Sequence, residues 1–175
     1  MTSTPAPQPI PDGYHRITPF IVVEGASEAM AFYAEAFGAT ERMRIPGPGG
    51  TIAHAEIEIG DSVVMLSDPF PQSTVKAPTE LGGTTVSIFV YVEDVDALFQ
   101  RAVDAGATVT MPLDDMFWGD RFGSLTDPYG HSWSFATHVE DVPPEEMEER
   151  AKQAMAAMAS GGADEESTRG RVHEY

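Results

Sequence analysis

The sequence predicts an α+β domain: two tandem βαβββ modules forming a curved mixed sheet, a cup with helices outside, plus a C-terminal helix. Three observations carry this expectation. An apolar run, Phe20-Ile-Val-Val, leads into an amphipathic stretch that ends at Gly38, and sixty-eight positions later Ile88-Phe-Val-Tyr leads into a second that ends at Gly106. Gly38-Ala39-Thr40 falls on Gly106-Ala107-Thr108 without a gap. Each copy is followed by three short strand-like runs, and a segment rich in Pro and Gly, 69–83, joins the copies. A unit that recurs with its punctuation intact is one supersecondary element used twice.

In the first copy Met30, Phe32, Tyr33, Ala36 and Phe37 recur at three- and four-residue spacing, the mark of one buried helical face. Ser27 is placed to cap this helix, and Gly38 to end it in the left-handed conformation. Asp94 and Gly106 have the same jobs in the second copy. Strands are expected at Glu41–Ile45, Thr51–Ile59 and Ser62–Ser67, with a tight Gly60-Asp61 turn between the last two. Their counterparts are Ala107–Met111, Gly119–Thr126 and His131–Thr137, with Asp127-Pro-Tyr-Gly130 as the last turn. Pro143-Pro-Glu-Glu146 opens a C-terminal helix reaching about Ala159, with an apolar stripe of Met147, Ala151, Ala154, Met155 and Met158. The division is therefore a disordered arm at 1–13, modules at 14–68 and 84–140, a linker loop at 69–83, the helix at 141–159 and a disordered tail at 160–175.

Length and composition narrow the function. The 175 residues suffice for one well-cored domain and not for two, and 42% are apolar. The absence of cysteine excludes disulfides, thiolate metal sites and a Cys nucleophile, and fits a cytoplasmic protein. Segment 1–11 has neither the basic nor the apolar region of a signal peptide, and no apolar run approaches the roughly 18 residues of a membrane span. A net charge of −18 argues against nucleic acid and favours a cationic ligand wherever acids line a cleft; solubility is its other reading. Gly47-Pro-Gly-Gly50 lacks the Lys-Ser/Thr and helix of a phosphate loop, and no serine sits in a nucleophile elbow.

The paired modules, Ala31-Phe-Tyr33 closed by Phe37-Gly-Ala39, and the Asp127–Gly130 turn resemble the vicinal oxygen chelate superfamily. That superfamily includes glyoxalase I, extradiol dioxygenases, fosfomycin-resistance enzymes and bleomycin-binding proteins. Ile52-Ala-His-Ala-Glu56, Met65-Leu-Ser-Asp68, Phe117-Trp-Gly-Asp-Arg-Phe-Gly123 and Trp133-Ser-Phe-Ala-Thr-His138 are similar to a glyoxalase-like subgroup related to a phosphonate-operon protein. The resemblance covers 14–148 and implies a homodimer with cavities across its interface. In metal-dependent members it implies His or Glu ligands on the first and last strands of each module. Here those positions read Thr18 or Pro19, Val64–Leu66, Ser87 and Ser134. Hydroxyls and apolar groups do not displace water from a divalent ion, so no metal ligand is carried over and no cofactor is expected.

The expected pocket draws on three segments. On strand 51–59, Ala53, Ala55, Ile57 and Ile59 belong under the helix, which turns His54 and Glu56 into the cup. Two apart on one face, about 7 Å between Cα atoms, they form an acid/base pair or half of an atypical metal site; a plain cross-sheet hydrogen bond is the alternative. His131 and His138, seven apart, fall on opposite strand faces and cannot share an ion. The segment Asp114–Gly123 gathers Phe117 and Trp118 to stack on a flat or cationic ligand, with Asp120 and Phe122 beside them. Arg121 there can pair with a ligand carboxylate or phosphonate, or the segment is a dimer contact or an Asp120–Arg121 structural cluster. Trp133 and Phe135 belong in the core, which turns Ser134 toward the cavity opposite Ser87. The leading function is a metal-free binder of a small aromatic or cationic molecule. The alternative is a small-molecule enzyme, such as a lyase or isomerase, using His54 and Glu56.

Overall fold

The computed structural model describes residues 8–169, with side chains to 158. The first module contains β1 (Phe20–Val22), α1 (Ala26–Phe37), β2 (Thr40–Pro46), β3 (Ile52–Ile59) and β4 (Ser62–Ser67). A one-turn helix, α2 (Pro78–Leu81), lies in the linker. The second module contains β5 (Ser87–Tyr91), α3 (Val95–Asp104), β6 (Thr108–Asp115), β7 (Asp120–Thr126) and β8 (Ser132–His138), and α4 (Pro144–Arg169) follows. Each module builds its own four-stranded mixed sheet, ordered β1-β4-β3-β2 (sheet 1) and β5-β8-β7-β6 (sheet 2). The first strand of each runs parallel to the last, and the other pairs are antiparallel.

The repeat is real, but its register is one residue longer than the helix-end glycines suggest. Val23 N–H donates to the Ser67 carbonyl, and Val92 N–H donates to the Ala136 carbonyl in the same place. The helix starts agree, with Gly25 and Asp94 as the two caps. The extra residue is absorbed at the helix C-termini, where α3 stops sooner than α1. Asp94 caps α3 as expected, accepting from Ala97 N–H at 2.9 Å. Ser27 does not cap α1, because the chain enters that helix through Gly25 in the left-handed conformation (φ 81°) and Ser27 lies inside the first turn. The buried Asp68 takes over from the end of β4, accepting from Gly25 and Ala26 N–H with one oxygen and from Ile52 N–H with the other. A carboxylate against a helix N-terminus meets both its free donors and its dipole.

The two modules share one core. α1 lies against α3, and both sheets turn one face inward to them. Tyr33 and Phe37 of α1 meet Trp133 and Phe135 of β8, with ring centroids 4.8 to 5.4 Å apart. Trp133, Tyr33 and Phe135 are fully buried; each such side chain contributes about 2–3 kcal/mol through burial. The other face of each sheet points away from the core.

α4 continues in helical conformation past Ala159 to Arg169, so 160–169 is helical backbone, while 170–175 and 1–7 lie outside the described residues. Met155 and Met158 of its apolar stripe are exposed.

Candidate functional site

On sheet 2 the register sets which side chains face outward. Ser87, Phe89 and Tyr91 of β5 stand beside Ser132, Ser134 and Ala136 of β8, and these stand beside Thr126, Ser124 and Phe122 of β7. The period of two therefore turns Ser87, Phe89, Tyr91, Phe122, Ser124, Ser134 and His138 to the open side. Rings gather there. Phe89 stacks on Phe122 at 5.5 Å, Trp118 meets Phe122 edge-on at 5.7 Å, and Phe117 meets Trp118 edge-on at 5.0 Å. Trp118 reaches this face from the turn between β6 and β7, closed by Met116 N–H to the Asp120 carbonyl and Gly119 N–H to the Met116 carbonyl. Gly119 has φ 94°, and its carbonyl accepts from both Val139 and Glu140 N–H, which pins the segment after β8 against the turn. A Cβ there would stand 2.0 Å from the Glu140 carbonyl oxygen, so only glycine fits.

Asp120 is the hub of this face. It is 3% exposed. One oxygen accepts from Trp118 Nε1–H at 2.9 Å and from the Tyr91 hydroxyl at 3.0 Å; the other bonds His138 Nδ1 at 2.8 Å. Burial pushes the Asp120 carboxyl upward, but the bonds from His138, Tyr91 and Trp118 outweigh it and leave its pKa below the ordinary aspartate value. The same carboxylate, aided by Asp141 on Nε2 at 3.0 Å, raises the His138 pKa. Three donors on one buried carboxylate hold Trp118 and Tyr91 in fixed orientations, so the aromatic wall is preorganised.

Sheet 1 has its own open face. His54 Nε2 lies 3.4 Å from Glu56 Oε1, and the His54 ring stacks on Phe20 at 6.1 Å. Glu56 is 5% exposed, because Tyr14 from the N-terminal arm covers it and donates its hydroxyl at 2.6 Å. Arg42 stacks over the Tyr14 ring and donates to the Gly13 carbonyl, which holds the arm down. Burial raises the Glu56 carboxyl, and the Tyr14 and His54 hydrogen bonds bring it below the usual value.

The structure thus brings Phe117, Trp118, Asp120 and Phe122 together, and His54 with Glu56. Ser87 and Ser134 share the first face: Ser134 bonds both Ser87 and Ser124 at 2.9 Å, a ladder of hydroxyls that satisfy one another. Arg121 parts from the group. Adjacent to Asp120 on a strand, it points to the opposite face and grips Asp96 at the start of α3 through two nitrogens, with a third contact to Asp115. Its guanidinium is committed to those two carboxylates, and the expected Asp120–Arg121 cluster does not form. Sequence reasoning gives Tyr14, Phe20 and Tyr91 no role in a site, and weighs His138 only as a metal ligand beside His131. Alternation on β5 signals Tyr91, but nothing local to Tyr14 signals a contact with a residue forty-two positions on.

Two cavities adjoin the aromatic face. One of about 460 Å³ lies at the seam between the modules, where Ile17, Pro19 and Val63 face Phe89 and Tyr91. A shallower groove of about 980 Å³ runs past Tyr91 and His138 to Arg101 of α3. The donor set does not suit the divalent metal of related enzymes. On the open faces, the first and last strands offer Phe20 and Met65 in the first module, and hydroxyls already paired with each other in the second. Among the described residues no three His, Asp or Glu side chains converge to hold an ion.

Two sheets with open faces, built from repeated βαβββ units over a shared core, define a protein of vicinal oxygen chelate type. Residues 13–135 match the Glyoxalase/Bleomycin resistance protein/Dioxygenase superfamily, and the chain belongs to it. It is 46% identical over 149 residues to the uncharacterized Mycobacterium tuberculosis protein Rv0887c, covering 83% of this chain and 84% of that one. Among solved structures it resembles TioX of Micromonospora sp. ML1 (31% identity, 71% of this chain and 99% of that, TM-score 0.58). It also shares its fold with TnmS3, an antibiotic binding protein of Streptomyces sp. CB03234 (22% identity, 71% of this chain and 95% of that, TM-score 0.54).

Proposed function

We propose that the chain is a cytoplasmic, homodimeric binding protein that takes up a small aromatic molecule on the open face of sheet 2, without a metal ion. The observation that carries this reading is the ring cluster of Phe89, Trp118 and Phe122, in which the saturated Asp120 holds Trp118 in place. Of the two ligand classes expected, the aromatic one is favoured. Asp120, the carboxylate that would attract a cation here, already has three partners, and a flat ring needs only the wall. The fold shared with TnmS3 accommodates such a role. Dimerisation is supported by the large apolar side chains exposed on both open faces, Phe20, Met43 and Ile45 on sheet 1 and Phe89 and Tyr91 on sheet 2.

Equilibrium titration with a panel of neutral and cationic aromatic compounds tests the reading. Binding tighter than millimolar, lost by tenfold or so in Trp118→Ala, is the expected result; no binding by any panel member would sink it.

A second reading, an enzyme of the lyase or isomerase kind, is favoured by the Glu56 carboxylate set against His54 with Tyr14 beside it. It requires turnover that falls with loss of His54; a His54→Ala variant of unchanged activity would remove it.

A further inference from the structure

With Arg121 committed to α3, the open face of sheet 2 retains, among the described residues, one basic side chain bonded to the hub of the ring cluster, and that is His138. Its Nδ1 is fixed by the buried Asp120, so Nε2 is the free end of the imidazole, and it meets Asp141 at 3.0 Å. The two contacts differ in kind. Asp120 is built into β7 with three partners, whereas the Asp141 side chain is fully exposed and follows the last residue of β8 by only three positions. An exposed ion pair of this sort is worth little and is readily exchanged. Asp141 therefore occupies the place where an external acidic oxygen would sit, at Nε2 of His138, a residue that with Tyr91 lines the adjoining groove.

We propose that His138, oriented by Asp120, is the group that recognises an acidic oxygen, that of a carboxylate, carried by the planar aromatic ligand, which takes the place of Asp141 at Nε2. This rests on the reading of the rings as the ligand wall and adds the ligand's polar end to it. Other charged or titratable groups around His138 are Asp120 of β7, Tyr91 of β5, Glu93 and Asp94 after β5, and Arg101 of α3. Asp141 stays on the chain when it is displaced, so the ligand adds one negative charge to a net −18; it gains a contact to the imidazolium, and salt screens the long-range repulsion. Asp120 and Asp141 hold the imidazole protonated above its ordinary range. Affinity for a carboxylate ligand is therefore greatest where the ligand is ionised and His138 is protonated, and it falls as pH drops through the ligand's pKa or rises through that of His138.

Three probes of one shape separate the contributions: 2-naphthoate, neutral 2-naphthol and 2-naphthylmethylammonium, titrated at low and high pH. The acid should bind wild-type protein about tenfold more tightly than the alcohol, as a charge-assisted hydrogen bond allows. His138→Gln should erase that margin and leave the alcohol unchanged. Asp141→Asn should strengthen acid binding by up to about fivefold, the worth of an exposed ion pair, while Arg121→Gln leaves it as it was. Saturation with 2-naphthoate should raise the His138 pKa read from its ring protons, a result that does not depend on any variant folding. If the alcohol binds and the acid binds no better, or if the acid ignores His138→Gln and leaves the His138 pKa in place, the assignment of His138 is wrong while the aromatic wall stands. If none of the three binds, both are overturned; tighter binding of the ammonium probe overturns the acidic-oxygen assignment alone.

Discussion

Asp127→Ala is expected to be among the most damaging single substitutions in this chain, costing about 4 kcal/mol. Asp127 is buried. One oxygen accepts from the Tyr33 hydroxyl of α1 and from Trp133 Nε1–H, both at 2.8 Å. The other accepts from Tyr129 and His131 N–H, which shapes the turn into β8. Alanine leaves two buried side-chain donors and the Tyr129 and His131 N–H groups without their acceptor, and each unmet buried donor costs about 1–3 kcal/mol. Burial first, and then the Asp127 charge, push the Tyr33 phenol well above its usual pKa, so the hydroxyl stays protonated and remains a donor across the accessible pH range. Urea unfolding checks the prediction: a large fall in the midpoint with an unchanged slope is expected. A double cycle with Tyr33→Phe should show strong coupling, because the tyrosine loses most of its value once its acceptor is gone.

Asp120→Ala should cost about 2–3 kcal/mol, because the Trp118 N–H and the Tyr91 hydroxyl lose their acceptor, and should also release the aromatic wall. Tyr91 and Trp118 lose their acceptor and His138 its inner partner. Ligand affinity and stability therefore fall together, with Trp118 emission shifting toward that of a solvated indole. The pH dependence has a definite sign. Asp120 has a lowered pKa, so its contribution is present above the ordinary aspartate value and is lost as pH falls through the lowered one. His138 has a raised pKa, so its contribution is present below the ordinary histidine value and is lost as pH rises through the raised one. Wild-type stability should show a plateau between these limits, and Asp120→Asn should flatten the acid side of it.

Much of the fold was legible because it rests on local signals. The helix faces, Gly38, Asp94 and the Gly60-Asp61 turn are written in consecutive residues. The cap of α1 was not, since Asp68 acts on Gly25 and Ala26 across the fold. In the site, alternation placed His54, Glu56 and Ser134 on open faces, and the density of aromatic and charged residues drew attention to 114–123. The same alternation, applied strictly from Asp120, turns Arg121 to the other face. Taking 114–123 as one binding segment concealed this, although the expected strand from Gly119 already held both residues, as β7 (Asp120–Thr126) does. The partners of the hub, Tyr91 and His138, come from β5 and β8, and only the sheet order brings them to Asp120.

The central claim is an aromatic ligand on the open face of sheet 2, and the two tryptophans of the chain provide a direct test. Trp118 belongs to that face and Trp133 is fully buried in the core. In nitrogen–proton correlation spectra the two indole N–H signals are separate reporters within one molecule. Addition of 2-naphthol or 2-naphthoate should move the Trp118 signal in a saturable manner and leave the Trp133 signal in place. A stationary Trp118 signal at saturating probe, or movement confined to Trp133, would contradict the account.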